Sequence, residues 1–248
     1  MEAHTQNSCG SVNNSVTDED NDLNDADFAP SKLGTKEYWE DVYQKDLETF
    51  KDIGDVGEIW FGEESVNRVL RWMEQAGVPQ NAAILDIGTG NAAFLVELAK
   101  HGYRNLTGID YSPASIELSR NVLRMEDLTD IAVKEMDFLN CPGELKDFDV
   151  CVDKGTFDAI SLNPDNAKNS KKLYVQSLRD ALKDKGLFAI TSCNWTKEQL
   201  LEKLSEACAF PLCRLTGFEF EQELPTPSFQ FGGKTGNTVT TLIFKRVL

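Results

Sequence analysis

Three aspartates stand where short apolar runs end. Asp86, Asp110 and Asp137 close the runs Ala82–Ile87, Asn105–Ile109 and Ala132–Met136. Between the first two lies Ile84-Leu-Asp86-Ile-Gly88-Thr-Gly90-Asn-Ala92, an apolar strand running into a glycine turn and then a helix. Glycine there permits left-handed dihedrals and close approach of backbone to a ligand. Asp110 lies 20 residues beyond Gly90, where a strand-end carboxylate can accept both hydroxyls of a ribose. Asp137, followed by Phe138, is placed to accept from an adenine amino group beside an aromatic ring.

Two cofactor chemistries fit this pattern. Gly88-Thr-Gly90-Asn-Ala-Ala93 satisfies the relaxed dinucleotide fingerprint, which leaves a nicotinamide oxidoreductase open. Asp86 argues against it. A carboxylate two residues before Gly88, pointing to the ligand crevice, repels a pyrophosphate and attracts an α-amino group or a sulfonium. S-adenosylmethionine carries both cations and is the expected cofactor.

A second group of residues bears on what else enters the crevice. The fourth strand exits through Val152-Asp153-Lys154-Gly155-Thr156-Phe157-Asp158, without the Asn-Pro-Pro-aromatic run that holds planar, weakly nucleophilic nitrogens. Asp153 suits a cationic acceptor such as a lysine amine, orienting it without acting as a general base. The fifth strand leads to Asn194, whose amide could hydrogen-bond an amine, and to Trp195 and Thr196. Thr196 with Gln199 also fits a helix capping box, and Trp195 with Leu200 a hydrophobic staple. Trp60 and Phe61 make Gly57–Gly62 too aromatic for an ordinary linker, and read as a channel wall or as helix packing.

The elements that must position these groups follow from periodicity. Residues 35–50 read as a helix with Tyr38, Val42 and Tyr43 on one face. Val66, Val69, Leu70 and Met73 fall at i, i+3, i+4, i+7 of another. Further strands are expected at Phe148–Val152 and Leu187–Thr191. Helices are expected at Ala92–Lys100, Pro113–Met125, Ser170–Leu182 and Lys197–Ala207. Repeated βα units imply an α/β, Rossmann-like, doubly wound and mostly parallel sheet. Leu215–Glu221 and Thr238–Phe244 have no helix between them, so they form an antiparallel C-terminal pair. Their connection, Gln222–Asn237, reads as a long loop in which Phe229, Phe231 and three glycines would cover the acceptor side.

Composition sets the outer limits. The chain has 248 residues, 41% of them hydrophobic, and a formal net charge of −16. That balance disfavours a phosphate-tracking nucleic-acid binder and favours a basic partner. No apolar stretch is long enough to span a membrane, and no basic-then-apolar leader is seen. Residues 1–30 hold seven acids and no Lys or Arg, which reads as a disordered acidic tail before a domain at 31–248. Six cysteines without a C-x-x-C pair, and two histidines, offer no zinc ligand set.

In these residues the chain resembles the class I, seven-stranded S-adenosylmethionine-dependent methyltransferases over roughly residues 35–248. The resemblance implies that Asp86, Gly88 and Gly90 serve the methionine side. Asp110, with Tyr111 next to it, serves the ribose, and Asp137 with Phe138 the adenine. The family's third glycine is Ala92 here, tolerable if its φ is negative. The blocks Glu58–Glu63, Asp153–Asp158, Ser192–Thr196 and Phe231–Asn237 resemble, in order, the eukaryotic protein-lysine methyltransferases that modify translation elongation factor 1-alpha. That resemblance implies trimethylation of one lysine on a basic, abundant factor by a monomeric cytoplasmic enzyme, with the nucleus as a second location. It also implies acceptor-side roles for Asp153, Asn194 and Trp195, and a channel of Trp60, Phe61 and Phe231. Another protein or a small molecule as acceptor stays open. So does a non-catalytic cofactor-binding subunit, which the three intact aspartates disfavour.

Overall fold

Five of the apolar runs pair in parallel in the computed structural model. It describes residues 28–205, 217–226, 228–231, 234–237 and 239–247. They are β1 (Ala83–Ile87), β2 (Asn105–Asp110), β3 (Ala132–Glu135), β4 (Phe148–Lys154) and β5 (Leu182–Ser192). The chain steps outward from β1 through β2 to β3, then returns to lay β4 and β5 on the other side of β1. β9 (Thr240–Arg246) inserts antiparallel between β5 and β6 (Phe218–Glu223), giving the order β3-β2-β1-β4-β5-β9-β6. The reversal of direction between β1 and β4 opens a crevice at their carboxyl ends.

Strand alternation feeds two cores. Ile84, Val150, Val152, Ala189 and Ile243 face one side, under α1 (Lys36–Ile53), α2 (Gly62–Gln75), α3 (Ala93–Lys100) and α4 (Pro113–Met125). Leu85, Ile87, Cys151, Phe188 and Ile190 face the other, under α5 (Thr156–Ser161), α6 (Ala167–Ala181) and α7 (Lys197–Ser205). Local chemistry sets the helix ends. Thr35 caps α1 by accepting from the Tyr38 N–H at 3.3 Å, and Gly54 closes it at φ +76°. Ser112 caps α4 ahead of Pro113, accepting from the Ser115 N–H at 3.0 Å.

The expected doubly wound sheet and antiparallel C-terminal pair are present. Three features differ. The run after β4 contains a helix, α5, too short for its periodicity to register. β5 begins five residues early, at Leu182, because Lys185 adopts φ +66° and the β4–β5 register shifts past Phe148. The connection read as a long loop holds a separate hairpin, β7 (Ser228–Phe231) with β8 (Lys234–Asn237). The acidic segment was drawn to residue 30. Residues 1–27 lie outside the described residues, but Phe28 packs edge-on against Trp195 with ring centroids 4.5 Å apart. Among the described residues no helix is long and apolar enough to cross a membrane, and no group of His, Cys, Asp or Glu could hold a metal ion.

Candidate active site

The crevice floor is the turn after β1. Gly88 and Gly90 sit at φ +70° and +58°, and each backs onto a side chain from another element. A Cβ on Gly88 would lie 2.0 Å from Thr156 Oγ1, and one on Gly90 2.7 Å from Tyr43 Oη. Thr156 Oγ1 is held in place by donating to the Ile87 carbonyl at 2.8 Å. Asn91 locks the turn to the segment before α2, its Nδ2 donating to the Val56 and Glu58 carbonyls at 3.0 and 3.1 Å. The expectation for Ala92 is overturned: its φ is +61° and it is fully buried. It caps α3 in the left-handed conformation that glycine adopts freely, at a cost of roughly 1–2 kcal/mol for a residue with a Cβ.

The three strand-end aspartates take distinct roles. Asp86 does not point into the crevice. It lies beneath the turn, where the Thr89 hydroxyl donates to Oδ2 at 2.7 Å. Burial pushes its carboxyl up to about 6, against the pull of the Thr89 hydroxyl and of Lys154. It reaches the ligand space through its field and through the turn it holds. Asp110 does line the crevice. It accepts from the Gly90 N–H at 3.1 Å and the Ser112 N–H at 3.0 Å, and burial raises its carboxyl despite those bonds. Asp137 lines it too, capping the turn at Phe138–Asn140 through the Leu139 N–H at 3.0 Å. Its other oxygen takes Lys36 Nζ at 2.6 Å and Asn140 Nδ2 at 2.8 Å. Burial acts to raise this carboxyl, but Lys36, Asn140 and Leu139 together hold it below the ordinary value. Tyr111 and Phe138 complete the wall, the first with Lys36 over its ring at 5.2 Å, the second edge-on to Tyr174 at 5.2 Å.

Six of the seven expected cofactor residues therefore line one crevice, and Asp86 supports it from below. Two glycine positions that exclude any Cβ and a buried acid at the end of β2 fit a nucleoside-bearing ligand pressed against the β1 turn.

On the acceptor side, Trp60, Phe61 and Asn194 line the same crevice. Phe61 holds φ +64°, uncommon for an aromatic residue, and its ring lies where a Cβ on Gly155 would come within 2.9 Å. Asp153 is a correction. Strand alternation puts it with Cys151 on the face covered by α6, and it is fully buried. Its carboxylate accepts from the Thr156 N–H at 2.9 Å, the Phe157 N–H at 3.0 Å and Tyr174 Oη at 2.6 Å. It starts α5 and has no face left for an acceptor. Burial pushes it up to about 7, against those three donors. Trp195 is a second correction, since its ring packs between Phe28 and Phe157 away from the crevice. Among the described residues its buried indole N–H has no hydrogen-bond partner. The expected capping box is present, with Thr196 and Gln199 exchanging bonds at 2.9 and 3.3 Å. Phe231 ends β7, but its side chain and that of Phe229 lie outside the described residues.

The structure adds residues that the sequence reading did not assign to the crevice. Lys36, Trp39 and Tyr43 of α1, Lys154, Thr156 and Asp158 all line the crevice. Trp39 and Tyr43, four apart on one helical face, carried a signal, and Tyr43 was already on the face expected to be buried. Lys154 is half-buried and donates to the Trp60 carbonyl at 3.3 Å. Burial lowers its pKa while Asp86 and Asp153 oppose that.

A family model described as a methyltransferase domain matches residues 79–233. The chain belongs to the S-adenosylmethionine-dependent methyltransferases. This methyltransferase is 63% identical over 220 residues to the EEF1A lysine methyltransferase 2 of Danio rerio, covering 89% of this chain and 90% of that one. It is 56% identical to the protein of the same name from Homo sapiens, covering 89% of each. Against the protein-lysine N-methyltransferase EFM4 of Saccharomyces cerevisiae it is 32% identical over 88% of this chain and 96% of that. Its fold matches the N-methyltransferase NodS from Bradyrhizobium japonicum, solved with S-adenosyl-L-homocysteine (TM-score 0.59, 17% identity, 84% and 98% covered). The methyl donor of this methyltransferase is S-adenosylmethionine.

Proposed function

We propose that the methyltransferase transfers methyl groups from S-adenosylmethionine to a lysine of translation elongation factor 1-alpha. The observation that carries this is its 63% identity, across nine-tenths of both chains, with a relative named for that reaction. The arrangement of the crevice supports it. When bound, the cofactor supplies a methyl group already activated on a sulfonium, so the protein need only align a neutral amine with it. A lysine amine has an ordinary pKa near 10.4, so deprotonating it at pH 7 costs roughly 4–5 kcal/mol. Trp60 and Phe61 provide an apolar wall that favours the neutral form. Asn194 offers an amide oxygen to orient the amine. Asp153 is tied up in starting α5, so the proton leaves to solvent. The final state is trimethyllysine, and the enzyme works as a monomer in the cytoplasm, where its substrate is used, with the nucleus as a second location. Negative charge on the enzyme suits a basic protein partner.

The test is incubation of the protein with labelled S-adenosylmethionine and a cell lysate, followed by identification of the labelled band. Label on elongation factor 1-alpha is expected. Label on a different protein would move the reading to another substrate, and no transfer to any acceptor would leave a non-catalytic subunit.

A further inference from the structure

The six-residue helix α5 touches both sides of the crevice. At its first residue, Thr156 Oγ1 braces the turn that carries Gly88. Two residues on, Asp158 is buried and reaches across to the exit of β5. Its Oδ1 accepts from Ser192 Oγ at 2.5 Å, and its Oδ2 from the Cys193 N–H at 2.9 Å and from Cys193 Sγ at 3.4 Å. Ser192 Oγ in turn accepts from the Asn194 N–H at 3.1 Å and the Trp195 N–H at 2.9 Å. The turn that delivers Asn194 to the crevice is thus pinned by the Ser192 hydroxyl, which donates to Asp158, and by Asp158 directly through the Cys193 N–H. Burial raises the Asp158 carboxyl above the ordinary value, against the bonds from Ser192, Cys193 and the Asn194 backbone.

We propose that Asp158 is a positioning residue for the acceptor amine, acting through Ser192 and the Cys193 N–H to fix Asn194 and so setting how well the transfers to an amine that still bears an N–H are aligned. The proposal rests on the reading above, that an amine acceptor enters beside Asn194. Its physical basis is that α5 is one short rigid body. Thr156 ties it to the donor side and Asp158 to the acceptor side, so the separation of the reacting groups is set within one helical turn. Misalignment on the scale of an ångström lowers rate by large factors without altering ground-state binding. Each added methyl removes one N–H, so the neutral dimethylamine has none left to give Asn194, and the first two transfers are the ones sensitive to a loosened turn.

Four variants test this: Asp158→Ala, Asp158→Asn, Ser192→Ala and the Asp158→Ala/Ser192→Ala double. For each, the melting temperature, cofactor-product affinity, KM and kcat for the protein substrate and the mono-, di- and trimethyl distribution are measured. Asp158→Ala and Ser192→Ala should each lower kcat at least about tenfold, with KM and cofactor affinity within about twofold. Unmodified and monomethyllysine should accumulate, while conversion of dimethyl- to trimethyllysine stays near the wild-type rate. The double should fall well short of the product of the two singles, because the Asp158–Ser192 bond is lost in either one. Asp158→Asn keeps one acceptor oxygen and should fall between wild type and Asp158→Ala. It also carries the test if the alanine variant does not fold. Loss of stability with a normal kcat and product distribution in the folded fraction would overturn the proposal, as would effects that multiply in the double. Cofactor affinity falling in step with kcat would do the same. A wild-type enzyme inert toward every protein would instead remove the functional reading, and this inference with it. A wild type that labels a different protein leaves the inference to be decided by the same variants on that protein.

Discussion

Asp86 is an acid the fold prefers to keep protonated. Its carboxyl is pushed up to about 6 from an ordinary 3.8, chiefly by burial. A raised acid favours folding while protonated and opposes it once ionised, so its effect on stability turns unfavourable as pH climbs from about 4 to about 6, by up to ~3 kcal/mol, and is constant above. Asp86→Asn, which keeps an oxygen for the Thr89 hydroxyl, should remove that step. The difference in melting temperature between variant and wild type should grow between pH 4 and 6 and then level off, and a pH-independent difference would refute the assignment. Asp110 acts more directly on the ligand. Asp110→Ala removes the acceptor of the Gly90 N–H and, on the expectation that Asp110 holds the ribose, charge-assisted bonds each worth roughly 1.5–3 kcal/mol. Calorimetry should show at least a tenfold loss of cofactor affinity, and an unchanged value would take Asp110 out of the site. Ala92 combines two opposing terms. Ala92→Gly relieves a left-handed alanine but deletes a buried methyl worth about 0.8 kcal/mol, so its melting temperature should move little.

Helices α1 and α5 show where sequence patterns stop being informative. The alternation of apolar runs and helical stretches made the parallel sheet legible, and the missing crossover before the last strand made its antiparallel insertion legible. The glycine turn with Asp110, Tyr111, Asp137 and Phe138 was legible because each stands at a strand's exit, and strand exits share one edge of such a sheet. What failed was direction within an exit. Asp153 and Lys154 are neighbours, and pleating sends one to the α6 face and the other to the crevice. Sequence cannot say which until α5 is known to begin at Thr156 and to need a carboxylate at its start. Trp195 was misread for a related reason: its partners, Phe28 and Phe157, are distant in sequence. Helix α1 lies before the segment matched by the family model, yet it brings Trp39, Tyr43 and the Lys36–Asp137 ion pair to the crevice. Removing residues 1–27 should leave cofactor affinity within about twofold, since the segment is acidic and has almost no large apolar residues with which to pack. Removing residues 1–36 takes away the Thr35 cap and Lys36 and should weaken cofactor binding about tenfold, the equivalent of 1.4 kcal/mol. Equal affinities for the two truncations would show that this end of α1 contributes nothing.

Taken as a whole, the molecule carries a net charge of −16 and is proposed to act on a basic protein. Long-range attraction of that kind speeds encounter and is screened by salt, with a Debye length near 10 Å at 0.1 M. Raising ionic strength from about 0.05 to about 0.3 M should raise KM for the protein substrate several-fold while kcat and cofactor affinity stay nearly constant. A flat KM would mean that charge plays no part in capture. The position of β9 has a different kind of consequence. Ile190 of β5 pairs with Leu242, so an interior strand of the sheet is among the later segments to be synthesised. While the chain is still on the ribosome, β5 has β4 on one side and an open edge on the other, and β6 has no sheet to join. A nascent chain halted anywhere before Thr240 would present that apolar edge to other nascent chains, which is how strand-to-strand aggregation begins. Messages truncated late in the reading frame should therefore yield insoluble product, not a slightly shortened enzyme.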